Sequence, residues 1–267
     1  MSGARIVREY GKQGPLVLVL HGGPGAPGGV AGLCERLAET FRVLEPFQRS
    51  SGKAPLTVER HVADLHALAL CCQQPRPALV GHSWGAMLAL AYAAAHPDSA
   101  GPLALLGCGT FDPESRARLR ARGEERIDEN LRSRLERLER EVADPDERLA
   151  RFGELLLPVY SHDLVASPAC ERPDVRAHHE TWNDMLRLQQ AGVYPAALSA
   201  YRGPVLMLHG AQDPHPGAMI RDSLAPFLPQ LEYREWPACG HYPWLERACG
   251  EEVIAFLRAW LLEHRPR

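Results

Sequence analysis

One pattern recurs along the chain: a short apolar run, a Gly or Pro break, then a stretch whose apolar residues return every three or four positions. Leu16 to Leu20 (LVLVL) is apolar throughout and ends in a Gly/Pro cluster, as expected of a strand buried on both faces. Phe41 to Leu44, Ala78 to Val80, Leu103 to Leu106, Val205 to Leu208 and Leu231 to Trp236 read as further strands. Helical periodicity occupies Val58 to Cys72, Ala86 to Ala95, Met219 to Leu228 and Glu251 to Glu263. Strands alternating with helices predict an α/β architecture, a mostly parallel central sheet flanked by helices.

The alternation stops between about Phe111 and Ala200, where Arg and Glu abound. Ile127, Leu131, Leu135, Leu138 and Val142 recur at steps of three or four, which predicts an amphipathic helix docked on the main domain by one face. Its apolar register is too short for a partner-binding coiled coil. His178 to Gln190 predicts a second helix, and strand pattern returns at Val205. The division expected is therefore a core from 1–110 and 201–267, with a helical cap inserted over 111–200.

Composition narrows the picture by exclusion. A formal net charge of −3 gives no electrostatic ground for a nucleic-acid or anionic-membrane partner. Leu16 to Leu20 is far too short to span a bilayer, and MSGARIVREY lacks the apolar core of an export signal, so a cytoplasmic protein is expected. The seven cysteines (34, 71, 72, 108, 170, 239 and 249) are odd in number and scattered, which favours reduced thiols. With no C-x-x-C pair, and with His178-His179-Glu180 at the wrong spacing for a zinc helix, no metal is expected. Cys239 stands out because it lies two residues before His241.

The candidate chemistry sits at strand ends. Gly81-His82-Ser83-Trp84-Gly85 fits G-x-S-x-G between an apolar strand and an Ala/Leu helix, the context that lifts a serine hydroxyl above a sheet. Serine needs a base, because its free hydroxyl is a weak nucleophile. His241, in Cys239-Gly240-His241, follows the last strand, and Asp213 follows the strand at Val205 to Leu208. Their chain order, Ser, Asp, His, is the one such an elbow requires. After the first long strand, His21-Gly22-Gly23-Pro24-Gly25 can offer a backbone N–H to a developing oxyanion; Gly23 is assigned that role, with the N–H of Trp84 as second donor. Gly23-x-Gly25-x-x-Gly28, with Glu45 downstream, also fits a dinucleotide fingerprint. Pro24 and Pro27 remove two of the donors that fingerprint uses, and it leaves Ser83, Asp213 and His241 unexplained.

On these residues the chain resembles the α/β-hydrolase superfamily over nearly its whole length outside the insertion. H-G-G-P-G, reproduced by His21 to Gly25, is similar to the signature of the proline-iminopeptidase-like serine peptidases. That resemblance implies a helical cap over the active site, inserted after the sixth strand of the usual fold. The chain departs from those peptidases at Phe47 to Ala54, where D-Q-R-G-x-G-x-S is reduced to Gln48, Arg49 and Gly52. The elbow G-H-S-W-G-A also resembles that of esterases and lipases, while a serine there departs from the dehalogenases and epoxide hydrolases, which use Asp.

The expected function is a serine hydrolase acting through an acyl-enzyme on a small molecule or short peptide, without cofactor. Aminopeptidase or amidase action comes first and carboxylic-ester hydrolysis is the alternative; a non-catalytic ligand receptor would have no use for the three residues together. An aminopeptidase must neutralise a free ammonium, for which Glu171, Glu180 and Asp184 are candidates by location. An ester needs an apolar pocket, for which Trp182, Met185, Leu186 and Tyr194 are candidates. Oligomeric state is not legible in the sequence.

Overall fold

In chain order the elements of the computed structural model are β1 (Val7–Tyr10), β2 (Leu16–Leu20), α1 (Ala31–Leu37), β3 (Arg42–Pro46), α2 (Val58–Cys71), β4 (Ala78–His82), α3 (Trp84–Ala95) and β5 (Leu103–Leu106). There follow α4 (Pro113–Glu124), α5 (Glu129–Glu141), α6 (Pro145–Tyr160) and α7 (Val175–Gln190), then β6 (Val205–Gly210), α8 (Gly217–Leu224), β7 (Leu231–Trp236) and α9 (Gly250–Glu263). The structure describes residues 6–72, 74 and 76–265; the first five residues of the N-terminal stretch weighed above as an export signal lie outside them.

The seven strands form one sheet in the order β1-β3-β2-β4-β5-β6-β7, parallel except for β1, which runs antiparallel to β3. Each apolar run buries both its faces. In β2, Leu16, Leu18 and Leu20 join the core under α2 and α3, while Val17 and Val19 join the core under α1 and α9. Leu103 and Leu105 of β5, and Val205 and Met207 of β6, face the first layer; Ala104, Leu106, Leu206 and Leu208 face the second. This is why these runs are continuous rather than alternating. The edge strand β1 (VREY) has no apolar run and was not legible as a strand.

Helix α3 is apolar nearly all round, and it needs to be: ten of its residues are buried between the sheet, α2 and the turn at Ala196–Ala200. Helix α2 is capped by Thr57, whose side chain accepts from Arg60 N at 3.2 Å.

The interval between β5 and β6 folds into α4 to α7. Each of these helices starts on an aspartate N-cap (Asp112, Asp128, Asp144 and Asp174) whose carboxylate accepts backbone N–H groups of the first turn. The stripe from Ile127 to Val142 is α5 with its flanks; it packs on α6 within the insertion rather than on the main domain, and only Leu138 of the stripe is buried. The predicted His178–Gln190 helix is α7, three residues longer at its start. The insertion leaves the sheet after β5 and returns to it at β6. No helix among the described residues is long and apolar enough to cross a membrane.

Candidate active site

Ser83 occupies the tight turn between β4 and α3 with φ 53° and ψ −116°. A side chain at positive φ is strained by about 1–3 kcal/mol, so surrounding structure must hold it there. Two glycines permit the turn. A Cβ on Gly81 would lie 2.3 Å from Gly85 O, and one on Gly85 would lie 2.1 Å from Leu20 O. Ser83 N donates to Leu106 O at 2.9 Å, tying the turn to the neighbouring strand end.

The His21–Gly25 loop lies against this turn: a Cβ on Gly22 would stand 3.0 Å from Ser83 Cβ and 2.8 Å from His82 Nδ1. Trp84 opens α3, so its N–H belongs to the set that no helix satisfies internally. Its indole donates to Gln48 Oε1 at 2.6 Å. Gln48 in turn donates through Nε2 to His21 O (3.0 Å) and through its backbone N to His21 Nε2 (3.1 Å). One glutamine thereby joins the two segments expected to hold an oxyanion. Burial lowers His21 to about 4, which keeps the ring neutral and able to accept.

Asp213 and His241 meet at the ends of β6 and β7. His241 Nδ1–H donates to Asp213 Oδ2 at 2.6 Å, and both side chains are buried. Two histidines that sequence reasoning passed over share the carboxylate. His215 donates to Oδ1 from both its backbone N and its ring Nδ1, each at 2.9 Å. His209 Nε2 lies 3.2 Å from Oδ2 and 3.1 Å from His215 O. Burial alone would push Asp213 up; the neighbouring His241 and His215, with the hydrogen bonds from His209 and His215, outweigh it and hold the carboxyl well below its ordinary range. A fourth histidine, His82 beside the serine, donates from Nε2 to His241 O at 2.9 Å.

The loop carrying His241 is anchored to the insertion. His241 N donates to Tyr160 O at 2.7 Å, at the end of α6. Glu246, 1% exposed, accepts from Gly240 N and His162 N (2.9 Å each) and from Asp163 N (2.6 Å). A Cβ on Gly107, at the end of β5, would stand 2.9 Å from His241 Nδ1, so that position needs glycine on packing grounds as well as for its φ of +52°.

The candidate carboxylates of the insertion are engaged elsewhere. Glu180 Oε2 accepts from Leu56 N and Asp184 Oδ2 from Val58 N (2.8 Å each), which fastens α7 to the start of α2; Arg176 and Arg187 pair with their other oxygens. Glu171 pairs with Arg8 on β1. Met185 and Tyr194 are buried in the core, and the partly buried Trp182 packs against the same core. Cys239 is buried, and its hydrogen bonding with Cys249, together with burial, pushes the thiol far up. Asp213, His215 and His241 are also metal-ligand types whose candidate ligand atoms lie within 4.8 Å of one another. Both carboxylate oxygens already accept N–H groups, so hydrogen bonding accounts for the cluster.

A family model described as the alpha/beta hydrolase fold matches residues 15–248. The chain belongs to the alpha/beta hydrolase family. As a hydrolase it is similar to a proline iminopeptidase of Lactobacillus helveticus, 27% identical over 97% of this chain and 94% of the relative. A proline iminopeptidase of Lactobacillus crispatus is 28% identical over the same shares. Among solved structures, a thermophilic esterase from Thermogutta terrifontis superposes with a TM-score of 0.64 at 23% identity, covering 98% of this chain and 94% of the esterase. That last likeness bears on the fold alone.

Proposed function

We propose that this hydrolase works through a Ser83–His241–Asp213 triad and an acyl-enzyme. The observation that carries the proposal is the strained Ser83 at a strand-to-helix turn, together with the 2.6 Å bond that orients the His241 ring. Ser83 Oγ attacks a carboxyl carbon while His241 Nε2 takes its proton. Asp213 holds the Nδ1–H tautomer and stabilises the imidazolium that forms. The N–H groups of Gly23 and Trp84 receive the developing negative oxygen, each worth about 3–4 kcal/mol in such sites. His241 returns the proton to the leaving group, and a water that it activates then releases the acyl group. The step added to the observed bonds is a hydrogen bond between Ser83 Oγ and His241 Nε2, which in unliganded enzymes often tightens only with substrate bound. Residues 111–200 serve as the cap over this site, a reading supported by the Tyr160 ring 5.6 Å from that of His241.

For the substrate, the first reading is an N-terminal residue with a free amine, supported by the H-G-G-P-G loop and by full-length likeness to proline iminopeptidases. One observation favours carboxylic esters instead: Glu171, Glu180 and Asp184 are all committed to other partners. A steady-state comparison of free-amine prolyl and alanyl anilides with p-nitrophenyl esters decides between them. Anilide turnover that N-acylation abolishes supports the first reading; turnover of esters alone supports the second. Ser83→Ala is expected to abolish both activities and fluorophosphonate labelling with the fold intact, and residual activity above a tenth of wild type would refute Ser83 as nucleophile.

A further inference from the structure

Asp213 gathers three imidazoles: His215 on Oδ1, His241 on Oδ2, and His209, whose Nε2 lies 3.2 Å from Oδ2 and 3.1 Å from His215 O. The rings of His215 and His241 stack nearly parallel, 10° apart with centroids at 4.5 Å, and each points its Nδ1 at the same carboxylate. His215 is 9% exposed, and its backbone N–H reinforces its ring on Oδ1. The backbone bond alone would satisfy that oxygen and fix the carboxylate's direction. The ring N–H therefore adds something beyond geometry: it draws negative charge toward Oδ1, away from the oxygen facing His241.

We propose that His215 is a positioning residue of the triad, which moderates the pull of Asp213 on the His241 proton. The inference rests on the triad reading above. The groups facing His215 are Asp213 and His209 from β6 and its loop, His241 from the loop after β7, Tyr160 at the end of α6 (ring centroids 5.8 Å), and His82 beyond His241. Arg122 of α4 reaches the carbonyl oxygen of Asp213 at 3.4 Å. Without the His215 ring N–H, the Asp213 carboxylate carries more charge toward His241, and the imidazolium form of His241 gains stability. The base must then lose its proton at higher pH.

The test is the rate at which a fluorophosphonate labels Ser83 as a function of pH, which needs no knowledge of the substrate. His215→Phe keeps a stacked ring and removes the donor; His215→Asn keeps an N–H at the same reach and removes the ring. The acid limb in His215→Phe is expected about one pH unit higher, so that labelling below the limb is about tenfold slower, with His215→Asn close to wild type. A His215→Phe limb that coincides with wild type overturns the proposal. So does an equal shift in His215→Asn, which would place the effect in packing. A wild-type protein that never labels removes the triad reading and this inference together, whereas labelling with coincident limbs removes His215 alone. A second measurement covers the case of a His215→Phe protein that does not fold. In Ser83→Ala protein, proton NMR is expected to show downfield imidazole N–H resonances of which one is lost in the Ser83→Ala/His215→Asn double variant; an unchanged set of resonances in the double variant overturns the proposal.

Discussion

Glu246 offers a prediction whose size follows from the structure. Its carboxylate is 1% exposed and accepts three backbone N–H groups, two from the segment after α6 and one from Gly240, next to His241. Replacing it with Ala leaves those donors without their acceptor in a buried place. An unsatisfied buried donor costs about 1–3 kcal/mol, and water entering the vacated space recovers part of this, so a loss of roughly 3–5 kcal/mol is expected. For a domain of this size each kcal/mol lowers Tm by roughly 2–4 °C, giving a fall of roughly 6–20 °C. Glu246→Gln keeps the volume and one acceptor oxygen but turns an NH2 toward an N–H, and should fall between the two. Because Gly240 precedes His241, labelling of Ser83 should also slow at temperatures where Glu246→Ala is still folded. Thermal unfolding followed by circular dichroism, with labelling rates measured well below Tm, checks both parts. A Glu246→Ala protein that melts within about 2 °C of wild type would refute the claim that this carboxylate joins the insertion to the histidine loop.

Two further outcomes are expected. Gly107→Ala places a methyl group 2.9 Å from His241 Nδ1 at a φ of +52°, so the ring must shift; a tenfold or greater loss of labelling rate with about 1–2 kcal/mol of destabilisation is expected, and unchanged labelling would show that the ring has room. His61, buried and 2.9 Å from Thr181 Oγ1, is lowered by burial to about 4. The unfolded chain takes up a proton near the ordinary value of 6.5 while the folded chain does not, so stability falls as pH drops from 6.5 toward 4, by about 1.4 kcal/mol per pH unit for this residue. His61→Gln removes that share, and its Tm should approach that of wild type as the pH falls; parallel Tm curves would contradict a neutral buried ring.

Much of this molecule could be read along the chain, because the features concerned are written in local pattern. Continuous apolar runs mark strands covered on both faces, and Leu16–Leu20 divides its side chains between two cores accordingly. G-H-S-W-G places glycines where an added Cβ would lie 2.3 Å (Gly81) or 2.1 Å (Gly85) from a neighbouring carbonyl oxygen. Asp213 and His241 were legible because a strand pattern ends just before each, although their contact spans 28 positions. Polar partnerships across the fold were not legible. Nothing near Glu180 or Asp184 signals that their carboxylates cap the start of α2, more than 120 positions earlier. Nothing around Glu246 announces His162 and Asp163, and Asp-Pro-His-Pro reads as a turn until the chain closes His215 onto Asp213. The physical reason is that periodicity reports which face of an element is buried and which backbone conformation is allowed. Which donor meets which carboxylate depends on how elements distant in sequence pack, and only the tertiary structure decides that.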